Sequence, residues 1–275
     1  MLCRKAKTIL ACKLSKILLL FYLDMIMEQV NLFNILDEVD STNNYAMAKL
    51  HEGLATHGMA WFAKEQTAGK GQRGKQWLSE PGDNILLTII CKPAPAFISN
   101  PFSLSALIAI TCNDFLHKIT GEKFYIKWPN DLYWRDRKTG GILIENKYMG
   151  ASWTWAVIGI GINVNQTMFA EDLTRAVSLK QVSGKEQYDP QRLASELHEY
   201  ILEKINTVTV GALPGIIARY NELLYKREEA VKLRKENAVF STTVKAVNPF
   251  GQLLTSDTTD RTFNFGEVEW IFDKI

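Results

Sequence analysis

The sequence has few of the residues that hold metals or form disulfides. Its four cysteines include no Cys-x-x-Cys pair, and its four histidines include no His-Glu-x-x-His pattern. The spacing of a zinc site is therefore absent. A chain of 275 residues can bury a large core without disulfides. This cysteine usage favours a reducing compartment and predicts a cytoplasmic protein.

The chain also has little net charge and no long apolar segment. Its 32 Lys and Arg residues nearly balance 30 Asp and Glu residues, which leaves a net charge of +2. Proteins that bind nucleic acid through phosphate neutralisation need a larger basic footprint. The apolar run at residues 17–23 ends at Asp24, and it is far shorter than the roughly 20 residues of a membrane span. We therefore predict neither DNA nor a membrane as a partner.

Residues 1–30 are predicted to be an N-terminal extension. Basic residues precede the apolar run, as in a secretory signal, but no small-residue cleavage site follows it. The segment fits a translated upstream region, with Met25 or Met27 near the natural start. An amphipathic arm and a cleaved signal are the alternatives.

From Leu32 onward, strand-like and helix-like segments alternate without an internal repeat. This pattern predicts an α+β domain with a mixed β-sheet over residues 31–226. The predicted strands are Leu32–Val39, Met59–Ala63, Ile85–Cys91, Phe124–Lys127, Leu132–Trp134, Gly141–Glu145 and Trp153–Ile162. The first predicted helix is capped by Asp40 or Ser41, passes through Leu50 and stops at Gly53. The other predicted helices are Phe102–Ile119, Pro190–Ile205 and Pro214–Tyr225.

The sequence changes in character after Lys226. Five short strand candidates follow, separated by polar turns that contain Asn248-Pro249, Gly251 and Gly266. They are Ala230–Leu233, Thr242–Val247, Gln252–Thr255, Arg261–Phe265 and Val268–Ile271. We predict a small C-terminal β-barrel domain over residues 227–275.

A basic glycine-rich segment, Gly69–Lys75, stands out between two predicted strands. It fits the dinucleotide-binding pattern GxGxxG, and it fits the P-loop pattern except that Gln76 replaces the final Ser or Thr. Both patterns require a helix to begin at the glycines, whereas Trp77 and then Pro81 follow here. The segment is predicted to be an anion-binding loop of another kind. An exposed basic hairpin tip is the alternative.

Two further segments carry charged groups at strand ends. Lys127-Trp128-Pro129-Asn130-Asp131 places an amide and a carboxylate after a proline-fixed turn, and Lys138 precedes two glycines and a buried strand. A lysine ammonium there could stabilise a carboxylate or a phosphate. An ordinary turn and a solvated lysine are the alternatives.

Glycines alternate with isoleucines in Gly159–Ile162, which leaves one strand face without side chains. Such a face marks close approach by a ligand or by another part of the chain. A bulge or tight packing against a helix is the alternative. Ser41, Thr42 and Asn43 offer two hydroxyls and an amide at a helix start, although N-capping alone explains Ser41.

Taken in order, these motifs resemble the biotin protein ligases. The likeness runs from Asp37 to Asn165, and the β-rich tail resembles the C-terminal domain of that family. The resemblance implies a catalytic domain related to class II aminoacyl-tRNA synthetases and lipoate ligases. It implies an enzyme that uses ATP, with Mg²⁺, to convert biotin to biotinyl-adenylate. The biotinyl group then passes to one lysine of the biotin carboxyl carrier domain of a carboxylase.

The resemblance also assigns roles to residues. As catalytic residues it implies Lys138, Arg73 and Asp131, with Asp131 near the magnesium ion. As biotin-binding residues it implies Ser41, Thr42, Asn43, Gln66, Gly71, Lys138 and Gly141. As residues that bind the nucleotide or adenylate it implies Gly69, Lys70, Gly71, Gln72, Arg73, Trp77, Asn130, Lys138 and Asn163.

The sequence departs from the family pattern at three places. Lys70 and Gln72 stand where arginines are usual, and the tail Trp270–Ile275 has no arginine to match one that some members use near the nucleotide. Only about thirty-five residues precede the first strand, which fits a monofunctional member without the DNA-binding domain of bifunctional members. A lipoate or octanoate ligase or transferase and a non-catalytic biotin-binding module are the rival functions. Whether the chain forms a homodimer stays open.

Overall fold

The structure, a computed structural model, describes residues 32–171 and 173–272. The predicted extension at residues 1–30 lies outside the described residues. The strands of the first part of the chain are β1 (Phe33–Val39), β2 (Ala60–Gln66), β3 (Asn84–Cys91), β4 (Tyr125–Lys127), β5 (Asp131–Trp134), β6 (Arg137–Met149) and β7 (Ser152–Asn163). Its helices are α1 (Thr42–His51), α2 (Pro95–Ile98), α3 (Phe102–Thr120), α4 (Leu179–Ser183), α5 (Pro190–Thr207) and α6 (Leu213–Glu222).

Strands β1 to β7 form one sheet in the order β1-β2-β3-β7-β6-β5-β4. The β1–β2 pair is parallel and the other pairs are antiparallel. The predicted mixed sheet is therefore confirmed. Every residue of the central strand β3 is buried, as expected for a strand that is covered on both faces.

The two faces of this sheet have separate cores because strand side chains alternate in direction. Ile85, Leu87 and Ile89 belong to the larger core, which also includes most of the buried residues of α3 and α5. On the opposite face, Ile90 and Val157 pack with α1 in a smaller core. The smaller core leaves part of its face uncovered, and the candidate site occupies that part.

The last five strands are β8 (Ala230–Lys235), β9 (Ala238–Val247), β10 (Leu253–Ser256), β11 (Asp260–Phe263) and β12 (Glu269–Ile271). They pair antiparallel in the order β11-β10-β9-β8-β12. All five predicted strands are present. Among the described residues no ladder joins β11 to β12, so the expected barrel is an open sheet.

The chain from Phe33 onward forms one compact unit that contains both sheets. Trp128 Nε1 donates a hydrogen bond to the carbonyl of Gly251, 2.9 Å away in the C-terminal sheet region. Asn221 on α6 bonds both backbone groups of Val247 in β9, at 2.7 and 2.9 Å. These contacts fix the second sheet beside the site.

No helix in the described part of the chain has, by itself, the length and hydropathy needed to cross a membrane. One bent pair, Pro190–Thr207 with Val210–Glu222, meets the length and composition criteria only when its two helices are taken together, across a bend of 108°.

Candidate active site

The candidate site is built on one face of the first sheet, where four neighbouring strands place residues side by side. Leu86 of β3 pairs with Gly161 of β7, Gly161 pairs with Gly141 of β6, and Gly141 pairs with Asp131 of β5. Paired residues share a face. This row therefore leaves a shallow floor of glycines with a carboxylate at one end.

A cavity of about 700 Å³ lies over this floor. It gathers nearly all of the residues that the sequence singled out, from segments as far apart as α1 and β7. Its lining includes Ser41, Thr42, Asn43, Gln66, Lys70, Gly71, Gln72, Arg73, Trp77, Asn130, Asp131, Lys138, Gly141 and Asn163. The exception is Gly69, which borders an adjoining cavity of about 440 Å³ on the side of Gln76 and Leu78.

The polar end of the cavity lies at the start of α1. Ser41 occupies the N-cap position, yet its side chain makes no capping hydrogen bond. The capping interpretation of this serine is therefore wrong, and its buried hydroxyl is available to a ligand. Gln66 Oε1 accepts hydrogen bonds from the Thr42 backbone N–H at 2.8 Å and from the Thr42 hydroxyl at 3.0 Å.

The glycines of β7 make room for two side chains of the site. A β-carbon on Gly159 would lie 2.3 Å from Asn43 Oδ1, and one on Gly161 would lie 2.6 Å from Trp77 Cε2. Distances below 3.0 Å do not occur between real atoms of this kind. The bare strand face is thus used by Asn43 and Trp77, which pack directly on the backbone.

The cationic end of the cavity is a cluster of two lysines around one carboxylate. Lys138 Nζ lies 2.7 Å from Asp131 Oδ1, and Lys127 Nζ lies 3.6 Å from Asp131 Oδ2. Burial by itself raises the pKa of Asp131, but the two ammonium groups outweigh burial and hold the pKa below its ordinary 3.8. Burial lowers the pKa of Lys127 below its ordinary 10.5, although Asp131 opposes this effect.

Aromatic rings surround Lys127. Its Nζ lies 5.4 Å from the ring centre of Trp270, 5.7 Å from that of Tyr133 and 5.9 Å from that of Phe272. Cation–π attraction operates over such distances. Trp270 and Phe272 come from the end of the chain, so the C-terminal region takes part in the electrostatics of the cavity.

Lys138 has a fixed backbone. Its N–H donates to the carbonyl of Arg175 at 2.6 Å, and its carbonyl accepts from Val177 at 2.9 Å. Asn163 Nδ2 donates to the carbonyls of Val177 and Lys138, at 3.3 and 3.5 Å. The amide nitrogen of Asn163 therefore serves to hold the segment that carries Lys138.

The glycine-rich segment forms a small hairpin over the cavity. Lys70 and Gln76 make an isolated bridge, and the Gly71 N–H donates to the carbonyl of Lys75 at 2.7 Å. Arg73 sits at the tip with φ of 56°, a left-handed conformation that is uncommon for arginine. The segment is thus an exposed basic hairpin tip that also lines the cavity, and its binding of an anion stays a prediction.

The cavity does not fit a protein-held magnesium ion. Both oxygens of Asp131 face ammonium groups, and the described residues contain no group of three or more His, Cys, Asp or Glu side chains placed to hold a metal. Magnesium binding in proteins uses one or two carboxylates together with substrate phosphates. Because two lysines already engage the carboxylate of Asp131, the expectation that Asp131 binds Mg²⁺ finds no support in this geometry.

Sequence reasoning missed four contributors to the site. Lys127 belongs to a motif that was recognised, but it was given no role there. Thr88 bonds Asn43 from the buried strand β3 and Glu145 bonds it from β6. Arg175 contacts Phe272, with 4.6 Å between guanidinium and ring centre. The β4–β5 pairing of Lys127 with Asp131 follows from a hairpin around Pro129, so the sequence did contain a signal for Lys127.

Comparison with known proteins finds one family model and several relatives that match this chain. The family model described as Biotin/lipoate A/B protein ligase family matches residues 36–163. The bifunctional ligase/repressor BirA of Salmonella typhimurium is 31% identical over 203 residues, which cover 72% of this chain and 61% of that protein. The biotin–[acetyl-CoA-carboxylase] ligase of Paracoccus denitrificans is 36% identical over 133 residues, covering 47% of this chain and 53% of that protein.

A solved structure agrees with these matches. The biotin protein ligase from Aquifex aeolicus in complex with biotin and ATP superposes with a TM-score of 0.73 at 26% identity. The alignment covers 88% of this chain and 99% of that chain. The match spans only about three fifths of the length of the Salmonella relative. The expected fold is confirmed, and residues 36–163 of the chain match the biotin/lipoate A/B protein ligase family.

Proposed function

We propose that this protein is a biotin–protein ligase. The observation that carries the proposal is that one cavity joins the polar end at Ser41, Thr42 and Gln66 to the cationic end at Lys138. A carboxylic acid with a polar head group fits such a cavity with its carboxylate toward the ammonium group. The Aquifex aeolicus structure with biotin and ATP supports this choice of ligands.

The proposed reaction has two steps. A carboxylate oxygen of biotin attacks the α-phosphorus of ATP, a new P–O bond forms, and pyrophosphate leaves. The amine of a carrier lysine then attacks the acyl carbon, loses a proton as the amide forms, and displaces AMP. No residue of the enzyme needs to form a covalent intermediate, so positioning and electrostatic stabilisation supply the rate.

Lys138 is the proposed catalytic cation. Two anions must meet in the first step, and a fixed ammonium group stabilises the negative charge that develops on the phosphoryl oxygens. Asp131 holds Lys138 in place through the 2.7 Å ion pair. Arg73 and Lys70 are proposed to bind the phosphates as the hairpin covers the nucleotide. Magnesium is proposed to arrive bound to the phosphates of ATP rather than to a carboxylate of the protein.

The proposed partner is the biotin carboxyl carrier domain of a carboxylase. The Paracoccus denitrificans relative is named for an acetyl-CoA carboxylase, which supports a carrier of this class. We propose that the enzyme acts in the cytoplasm, without DNA or membrane as a partner.

ATP–pyrophosphate exchange tests the proposal. The purified chain is assayed in parallel with biotin, lipoate and octanoate at equal concentrations. We expect exchange with biotin alone, because an alkyl chain would leave the polar groups at Thr42 and Gln66 unpaired. Exchange with lipoate or octanoate instead would assign the other branch of the family, and exchange with none of the acids would indicate a binding module.

A lysine variant tests the proposed catalytic cation. Lys138→Ala is expected to lower the exchange rate by about a hundredfold or more, on the scale of losing one electrostatic stabiliser, while the chain stays folded. Lys204→Ala is the matched control, since Lys204 lies in α5, where its ammonium group contacts Glu203 and the ring of Tyr200 and does not line the cavity. Equal rates for both variants would contradict the assigned role.

A further inference from the structure

A chain of hydrogen bonds lies behind the polar end of the cavity. Asn43 Nδ2 donates to Glu145 Oε2 at 2.8 Å and approaches the carbonyl of Leu143 at 3.5 Å. The Thr88 hydroxyl lies 2.7 Å from Asn43 Oδ1 and 2.8 Å from the Thr42 hydroxyl. Glu145 and Thr88 do not line the cavity, whereas Thr42 and Asn43 do. These hydrogen bonds thus connect strands β3 and β6 to the residues that line the cavity.

The acceptors at the outer end of this series of hydrogen bonds determine which atom donates in each bond. A carboxylate and a backbone carbonyl accept hydrogen bonds and cannot donate them. Asn43 must therefore turn its amide nitrogen toward Glu145 and Leu143, and its oxygen toward Thr88. The Thr88 hydroxyl has one proton, which it donates to Asn43 Oδ1. The contact between the two threonine hydroxyls is then a hydrogen bond only when Thr42 donates to Thr88.

The direction determines what Thr42 can offer a ligand. Its hydroxyl proton is used inside the protein, on Thr88 or on Gln66 Oε1 at 3.0 Å. The Thr42 oxygen can therefore only accept from the cavity. Gln66 turns its oxygen toward the Thr42 N–H, a pure donor, so its amide nitrogen is the group left for a ligand. An acceptor beside a donor complements the N–H and C=O of a cyclic urea.

We propose that Glu145 and Thr88 are positioning residues, which hold the Thr42 oxygen as an acceptor beside the Gln66 amide as a donor. They thereby select a ligand with an N–H group at the polar end of the cavity. The inference rests on the proposed function, because biotin is the ligand that it concerns. Neither residue lines the cavity. A ligand N–H facing a second donor would leave both groups unpaired in a buried site, which is strongly disfavoured.

The packing leaves these residues little freedom to choose another arrangement. Thr88 is fully buried and Asn43 is 3% exposed. Gly159 sits against the Asn43 amide, where a β-carbon would come within 2.3 Å of its oxygen. The amide is therefore confined between the backbone of β7, the hydroxyl of Thr88 and the carboxylate of Glu145.

Four variants and a control test the proposal. Thr88→Val keeps the shape of the side chain and removes the hydroxyl, whereas Thr88→Ser keeps the hydroxyl. Glu145→Ala removes the acceptor, and Glu145→Gln keeps an acceptor oxygen without the charge. Thr242→Val is the matched control, because Thr242 is a buried strand threonine whose hydroxyl has no hydrogen-bond partner among the described residues. Calorimetry gives the Kd of biotin, and pyrophosphate exchange gives kcat and KM for biotin.

We expect Thr88→Val and Glu145→Ala to raise the Kd and KM of biotin about tenfold, as for one lost interaction with a buried polar group. The kcat at saturating biotin should change by less than about twofold, because the reacting atoms lie at the other end of the cavity. Thr88→Ser, Glu145→Gln and Thr242→Val should bind biotin within about threefold of the unmodified chain.

The outcomes separate this inference from the proposed function. If the unmodified chain bound no biotin, both would be overturned. If it bound biotin and Thr88→Val bound equally well, the positioning role alone would be overturned. Equal weakening by Thr88→Ser would indicate packing, and equal weakening by Glu145→Gln and Glu145→Ala would indicate charge. Either result would also overturn the proposed role of hydrogen-bond direction.

Discussion

Gly161 and Trp77 meet at the cavity wall, where the backbone of β7 contacts the indole ring. The ring also faces Lys138, whose Nζ lies 5.6 Å from the ring centre. Trp77 is therefore held between a strand that has no side chain at this point and the proposed catalytic cation. A side chain at position 161 would change the position of both.

The first prediction concerns Gly161→Ala. The added β-carbon would lie 2.6 Å from Trp77 Cε2, so the ring must move away from the floor of the cavity. We expect a loss of stability of about 1–3 kcal/mol, typical of overpacking, and a loss of adenylation of about tenfold or more, as misplaced groups cause. Urea unfolding and pyrophosphate exchange measure the two effects.

Gly215→Ala provides the control for this change. A β-carbon on Gly215 would meet nothing within 4 Å, and alanine favours helix α6 by up to about 1 kcal/mol over glycine. Exchange should stay at the level of the unmodified chain. A Gly161→Ala variant with unaltered exchange would show that the position of Trp77 does not matter for adenylation.

Individual residues differ in how well the sequence reveals them. Ser41 and Thr42 were found because they place polar groups at a helix start, and Gln66 was found only through the resemblance to the biotin protein ligases. Thr88 and Glu145 were not found, since each lies in a strand whose pattern indicates only burial. Their partner Asn43 is 45 residues away from Thr88 and 102 residues away from Glu145. Local sequence carries no signal for contacts of that kind.

At the scale of the elements, the β4–β5 hairpin matters most for the charge of the site. Its register pairs Lys127 with Asp131, which places an ammonium and a carboxylate on one face. The side chain of Lys127 is 13% exposed. Lys138 and Lys75 add repulsion to the effect of burial, and Asp131 opposes both. The hairpin thus holds a lysine whose pKa lies below 10.5.

The second prediction is an alkaline loss of activity that depends on Lys127. Because its pKa is lowered, Lys127 loses its proton at a lower pH than an ordinary lysine, and Asp131 then loses one of its two cations. The adenylation rate of the unmodified chain should fall as the pH rises toward 10. Lys127→Met has no charge at any pH, so its rate should be lower at pH 7 and should not show this fall.

Exchange measured from pH 7 to pH 10 checks this prediction. The rates of the unmodified chain and of Lys127→Met should approach each other as the pH rises. A constant ratio between them over the whole range would mean that Lys127 does not titrate there. Lys204→Met controls for the loss of a lysine elsewhere, because Lys204 is partly exposed and its pKa is raised by Glu203.

Element boundaries show where pattern reasoning stops. The long strand β6 was expected only at Gly141–Glu145 but runs over Arg137–Met149, because polar residues at its ends also pair with β7 or β5. The short helix α4 was not predicted, although Ser178 and Gln181 form a capping box at its start. The capping pattern was present in the sequence, but a helix of five residues has no periodicity to support it.

At the scale of the whole molecule, the C-terminal sheet and the first sheet depend on one another. Trp270 and Phe272 surround Lys127, and Trp128 bonds the carbonyl of Gly251. The pattern of short strands and turns after Lys226 predicted the second sheet and its five strands. It could not predict that rings from this sheet would surround a lysine of the first, because nothing in a local pattern specifies how two sheets pack.

The last prediction follows from the way α6 joins the sheets. The side-chain amide of Asn221 donates to the carbonyl of Val247 and accepts from its N–H, and Val247 is 1% exposed. Asn221→Ala leaves a buried N–H and a buried C=O without partners, which costs about 1–3 kcal/mol for each group. The urea midpoint should therefore fall clearly. Both sheets should unfold in one transition, because the first sheet loses the rings that surround Lys127 when the second sheet unfolds.

The control is Asn237→Ala, at the exposed turn between β8 and β9, which should stay within about 0.5 kcal/mol of the unmodified chain. Two separate transitions in Asn221→Ala would show that the sheets fold independently, and adenylation should then be lost in the first of them.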